Sequence, residues 1–175
     1  VSLITLGLIL AIDFVTHRET GGQQAVFLVG SSLMIGMTII ILVSAFQRMQ
    51  LYEWAYGFTR MRVYPHVFMV WLAILFAAFL AMLLLRRVRL FATAALIAAI
   101  GFVATLDVLN PDVFIVRQNI QRYHAGEDLD AEYLGTLSED AVPDLIPLLH
   151  DYGTETQDAI GPWLRYRLDQ LDSRR

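Results

Sequence analysis

VFMVWLAILFAAFLAMLLL, residues 67–85, runs for nineteen positions without a charge, and RRVR (86–89) follows at once. A bilayer's hydrocarbon core, about 30 Å thick, needs about 20 helical residues to cross. This stretch therefore reads as a membrane span closed by a basic turn. Working outward, LFATAALIAAIGFVATLDVL (90–109) is a second run of that length. AVFLVGSSLMIGMTIIILVSAF (25–46) is another, with no charged residue. VSLITLGLILAI (1–12) is apolar but too short, and is expected to be the end of a span that closes between Asp13 and Thr16. Helices satisfy every backbone group within one segment, so they are the natural form for such spans in lipid. The expected fold is all-α: a polytopic transmembrane helical bundle over residues 1–109, with spans at about 1–15, 25–46, 67–85 and 90–109, the first of them truncated. An acidic helical extramembrane tail over 110–175 completes it.

Charge divides the chain in the same place. Of 175 residues, 57% are hydrophobic and 17% charged, against about a quarter charged in soluble domains. Residues 1–109 hold seven arginines and four acids, and residues 110–175 hold six arginines and thirteen acids. The tail at −7 gives nucleic acid no electrostatic footing. There is no cysteine, so disulfides, thiolate metal sites and cysteine nucleophiles are excluded. There is no lysine either. Val1 sits in an apolar run with no basic region before it, so the chain is expected to be a segment of a longer protein rather than to open on a signal peptide.

Small residues recur four apart at Ser32 and Gly36, Ala77 and Ala81, Ala94 and Ala98, and Ala95 and Ala99. Such pairs let helices approach closely. In the tail, Asn110-Pro111-Asp112 reads as a helix start, with a capping side chain, a proline in the first turn and an acid at the positive helix end. Val113, Val116, Ile120 and Tyr123 form a stripe at helical spacing that should be the buried face, ended by Gly126. Ser138 or Asp140 can cap AVPDLIPLLHDY, which Pro147 should kink. PWLRYRLDQL (162–171) reads as a last helix.

The unusual stretch is LYEWAYGFTRMRVYPHVFM, residues 51–69, where tyrosines, a tryptophan, two arginines and Glu53 stand between two spans. Read as one helix from Tyr52 to Arg62, it places Arg48, Tyr52, Tyr56 and Arg60 on one face. An interfacial anchor is the plainer account, with rings in the half-apolar layer and arginines snorkelling from it. The functional account is a polar cluster on which the tail or a ligand docks, built from Arg48, Tyr52, Glu53, Tyr56, Arg60, Arg62, Asp107, Asn110 and Arg117. The first tail helix should lie against Tyr56, with Arg117 and Arg122 seeking Glu53 or helix carbonyl ends.

Asp13 and Asp107 are acids beside apolar runs, close enough to predicted helix ends to reach water. His17, His66, His124 and His150 have no ligand spacing, so no metal site is expected; His66 after Pro65 reads as a helix start. GEDLDAE (126–132) lacks the alternating ligands of a calcium loop. No phosphate loop, dinucleotide fingerprint or nucleophile elbow is present, so neither a catalytic residue nor a cofactor is expected.

YEWAYGFTRMR with FMVWLA, then LNPDVFIVRQNIQR, then LDAEYLGTLSEDAVPDL resembles the bacterial integral-membrane family called domain of unknown function 4173, related to family 4153. The likeness covers about residues 45–150. It implies the C-terminal part of a polytopic protein of the bacterial inner membrane and carries no activity, substrate or catalytic residue. The expected partners are the lipid bilayer and other transmembrane helices of the same longer chain, or a protein partner. The short acid-free RRVR turn is the cleaner orientation signal and places the tail outside the cytoplasm. Two functions are compatible with these residues. One is a non-enzymatic anchoring, interaction or envelope-sensing module. The other is a transporter or channel segment with a polar path near Glu53, Arg60 and Asp107.

Overall fold

A computed structural model describes residues 4–7, 9, 21–151, 161–162 and 166. Among them every regular element is helical. Helix α1 spans Gly21–Tyr56, α2 Arg60–Leu84 and α3 Phe91–Leu109, with a 3-10 turn at Val88–Leu90 before α3. The tail holds α4 (Pro111–His124), α5 (Ala131–Gly135), a 3-10 turn (Glu139–Ala141) and α6 (Val142–Asp151). Three helical segments, Gly22–Tyr56, Arg60–Leu84 and Val88–Leu109, are long and apolar enough to cross a membrane. Asp13, His17, His150 and the 162–171 helix, apart from Pro162 and Tyr166, lie outside the description of side chains or of structure.

The spans predicted at 25–46, 67–85 and 90–109 are present but their ends move, and the one predicted at 1–15 lies mostly outside the described residues. The span expected at 25–46 is part of a 36-residue helix, about 54 Å long at 1.5 Å per residue, well beyond the bilayer core. Its extra turns are the polar and aromatic residues 47–56. The stretch Tyr52–Arg62 is not one helix. It breaks at Gly57–Thr59, where Gly57 takes φ +81°, so Arg60 leaves the face expected for it. Helix α2 starts at Arg60 and passes through Pro65; His66 therefore does not begin a helix. Likewise Pro147 lies within α6 without dividing it.

The chain forms two compact units, residues 1–49 with 66–104 and residues 50–65 with 105–175. The division follows contacts rather than the charge boundary at Asn110, and it gives the 50–65 stretch to the tail. In the first unit, Ile35 and Leu42 of α1 and Leu72, Phe76, Phe79 and Leu83 of α2 form a buried core with Leu6 and Ile9. Leu72, Phe76, Phe79 and Leu83 follow the four-three-four spacing of a helix seam, as do Ser31, Ile35, Thr38 and Leu42. Lipid is as apolar as leucine, so close packing rather than water exclusion holds such a seam together. Thr38 satisfies its hydroxyl by donating to the Met34 carbonyl at 2.8 Å. Helix α3 contributes only Ala98 to the buried set. Beside it, Gly101 makes room for Trp71: a Cβ on Gly101 would lie 2.1 Å from the indole ring. Phe68 and Phe102 meet edge-on at 5.8 Å. Of the small pairs, Ala94 and Ala98 lie on this covered side, while Ala99 is exposed.

Helix α2 ends in a Schellman motif. The Arg87 N–H donates to Met82 and the Arg86 N–H to Leu83, with Arg86 in the left-handed region at φ 56°. Helix α4 ends the same way at Gly126, φ +94°, with Glu127 N–H on Arg122 and Gly126 N–H on Tyr123. Its start differs from expectation. Pro111 occupies the first turn, but Asn110 makes no side-chain cap and is itself left-handed at φ 44°. Its amide donates instead to Asp140 at 3.0 Å.

Candidate functional site: a helix break fastened to the tail

The second unit is organised around the break after α1. The last carbonyls of any helix lack intrahelical donors and carry the negative end of its dipole. Here two guanidiniums supply the donors. Arg122 of α4 donates through Nε to the Trp54 carbonyl at 2.9 Å and through Nη2 to Ala55 at 3.5 Å. Arg62 donates through Nη1 to the Tyr56 carbonyl at 3.0 Å and to Gly57 at 2.5 Å. Four consecutive carbonyls are thus covered by positive charge. The expectation that Arg122 would seek helix carbonyl ends describes this contact.

Asn119 of α4 reads the next peptide in both directions. Its Oδ1 accepts from the Phe58 N–H at 2.9 Å, and its Nδ2 donates to the Phe58 carbonyl at 2.8 Å. The fit leaves no room at Gly57. A Cβ there would lie 2.7 Å from Asn119 Oδ1 and 2.8 Å from Arg122 Nη1. Glycine is therefore required for space as well as for its positive φ.

Arg60, the first residue of α2, makes the third fastening. Its guanidinium forms a bidentate pair with Asp112 in the first turn of α4, and its backbone N–H donates to Tyr133 Oη of α5 at 2.8 Å. Asp112 Oδ2 also accepts from the Ser138 N–H at 2.9 Å. One buried carboxylate therefore joins α2, α4 and the turn before α6. The Arg60 hydrogen bond outweighs burial and lowers the Asp112 pKa to about 2.

The buried face of α4 is accordingly Asp112, Ile115, Val116, Asn119 and Arg122; of the expected stripe Val116 belongs to it, while Val113, Ile120 and Tyr123 are only half-buried. The expected stripe counted apolar residues alone. The observed face includes three polar side chains because backbone groups of the break satisfy Asn119 and Arg122, and the Arg60 guanidinium with the Ser138 N–H satisfies Asp112. Tyr52 and Tyr56 are exposed and stack on each other at 6.0 Å; Tyr56 is 69% exposed. The first tail helix does meet the break, through Gly57, Phe58 and the carbonyls before them, and it engages Arg60 of the predicted face; the docking on Arg48, Tyr52 and Tyr56 is corrected, since all three are exposed.

The remaining candidates scatter. Arg48 is exposed and belongs to the other unit. Glu53 is 4% exposed and makes contacts of its own. Asp107 is exposed on α3. Arg117 pairs with Asp144 at 3.1 Å on the surface, a contact worth at most about 1 kcal/mol. Sequence reasoning missed Gly57, Asp112, Asn119 and Tyr133 as parts of the site. The seven-residue spacing from Asp112 to Asn119, with Arg122 three further on, was the available signal. Among the described residues no acid or histidine group could hold a metal ion.

A cleft of about 330 Å³ opens beside the break, with Tyr56, Phe58 and Tyr133 on its walls and Glu127, Asp128 and Asp130 among its lining. Arg122 reaches Glu127 across 3.7 Å, and Asp130 Oδ1 caps α5 through the Tyr133 N–H.

Comparison with curated proteins and with solved structures finds no match. A family model does match, over residues 1–148, which takes in all three long helices and most of the described tail. It corrects the resemblance to family 4173, which is related but different. The chain belongs to the family described as Domain of unknown function (DUF4153).

Proposed function

We propose that this chain is a membrane-anchored helical module that holds an acidic unit at one face of a bacterial inner membrane for contact with a partner. The observation that carries this reading is the use made of the polar cluster. Arg60, Arg62, Asp112, Asn119 and Arg122 are engaged in fastening the tail to the helix break. A transport path needs groups that exchange partners along a route. Here Arg60 is held by Asp112 and Tyr133, and Asp107 is exposed on α3. The tail is proposed to be extracytoplasmic. On its side Arg60, Arg62, Arg117 and Arg122 are committed to carbonyls and carboxylates, whereas Arg86, Arg87 and Arg89 are exposed in a short acid-free turn, the pattern of cytoplasmic loops.

The test is the full chain in sealed liposomes loaded with pH- and potential-sensitive dyes. Anchoring expects no proton or alkali-ion flux above protein-free vesicles. A flux abolished by Arg60→Gln or Asp107→Asn would sink the anchoring role and establish transport.

A further inference from the structure

We propose that the turn between α2 and α3 binds the phosphate of an anionic membrane phospholipid through Arg86, Arg87 and Arg89. This goes beyond the anchoring role and rests only on the chain spanning a bilayer. All three arginines are exposed, and among the described residues none of them makes an ion pair. Their unit offers little countercharge. Residues 1–49 and 66–104 contain Arg18, Arg48, Arg86, Arg87 and Arg89 against Asp13 and Glu19 alone, a net +3, and residues 21–49 and 66–104 contain no carboxylate. The second unit is the reverse, with arginines drawn into pairs with Asp112, Asp144 and Glu127. Among the described residues of its own compact unit, none can supply countercharge to the turn.

Two observations support the site, and the first points to a lipid rather than a free anion. First, apolar residues flank the guanidiniums in the open: Leu84 is 57% exposed, Leu85 70% and Leu90 49%. Arginines beside exposed leucines match an amphiphile, with a phosphate for the heads and acyl chain for the flanks. Secondly, Arg86 holds φ 56° at a Schellman position that glycine usually fills. Arg87 stands just before the 3-10 turn Val88–Leu90 without a side-chain cap. The turn thus places guanidiniums where glycine or a capping side chain would better serve the helices. A guanidinium presents a planar fork that grips two phosphate oxygens. A net anionic headgroup is selected over a zwitterionic one because the ammonium of the latter is repelled by the same cluster.

The test uses the full chain reconstituted in phosphatidylcholine vesicles carrying traces of spin-labelled phosphatidylglycerol or phosphatidylcholine. Electron spin resonance reads the share of each label held at the protein. Phosphatidylglycerol should be preferred about fivefold or more, the factor expected from a single near-surface arginine, and high salt should reduce the preference. Combining Arg86→Gln, Arg87→Gln and Arg89→Gln should bring the ratio close to that of phosphatidylcholine, while Arg48→Gln should leave it unchanged. Arg87→Gln and Arg89→Gln singly should each lower it in part, which keeps the test decisive if the triple variant loses helicity. Equal association of both lipids, or a preference that survives the triple and single variants, overturns the proposal. So does full competition by soluble glycerol phosphate at the lipid's own concentration, which would mark a free-anion site. A flux in the anchoring assay would leave the lipid preference standing, so the two readings fail separately.

Discussion

Asn119 does at one residue what a strand partner does along a ladder: it pairs with both the N–H and the carbonyl of Phe58. Asn119→Ala leaves those groups to find water in a half-buried place, at a cost of about 1–3 kcal/mol. Amide hydrogen exchange should then show α4 opening more readily than α2. Asn119→Asp keeps the acceptor but sets a carboxylate against the Phe58 carbonyl, so it should rescue little. Gly57→Ala should be at least as damaging, because a left-handed non-glycine residue costs about 1–3 kcal/mol before the contact with Asn119 and Arg122 is counted. Asp112 makes the fastening pH-dependent in a definite direction. Its pKa falls from 3.8 to about 2 in the fold. The folded value is the lower one, so its contribution is complete above about pH 4 and is lost as pH falls toward 2. Protease release of the tail should therefore rise through that window in wild type, and Asp112→Asn should remove that part of the dependence. Beyond the helical spacing of Asp112, Asn119 and Arg122, none of this was legible in the sequence. A side chain that reads backbone groups has no periodic signature, and a polar residue on a buried face interrupts the apolar stripe by which that face is recognised.

Helices were legible to the degree that lipid dictates them. A run of about 20 apolar residues has one stable form in a bilayer, so three spans could be read from hydropathy. Their ends could not, because Arg48, Glu53 and Trp54 do not stop a helix; they only cease to be apolar. The helix stops at Gly57, where both the left-handed φ and the close approach of Asn119 exclude other residues. A second glycine marks a close approach of another kind. Trp71 occupies the place of the absent side chain of Gly101. Gly101→Ala must displace the indole or the helix, and overpacking of this kind costs about 1–3 kcal/mol. The Trp71 emission should shift as its packing loosens, in a background where Trp54 and Trp163 are phenylalanine. Stability is the readout for the compensating pair: Trp71→Phe should recover most of the loss in the Gly101→Ala chain, and a loss that persists there would show that the glycine serves something other than the indole.

At the scale of the whole chain, connectivity and contacts agree on sidedness. Helices α1, α2 and α3 are three potential crossings, so the break at 57–59 and the chain after Leu109 should emerge on one face. The fastening of Arg60 to Asp112 and of Phe58 to Asn119 requires the same. The turn at 85–90 should lie on the other face, since α2 runs 25 residues from Arg60, about 37 Å. The chain has no cysteine, so single cysteines report without background. Asp128→Cys and Val88→Cys should be labelled by an impermeant maleimide from opposite sides of intact cells or sealed vesicles, the first from outside and the second only after permeabilisation. Labelling of both from one side would mean that α2 does not cross, and the three-span reading would fall. Labelling of Asp128→Cys from the cytoplasm with Val88→Cys outside would keep the spans and the fastening and reverse the orientation alone. The arginines of the 85–90 turn would then face the outer leaflet, where the preference for phosphatidylglycerol could be measured on the same vesicles by quenching the label from each side.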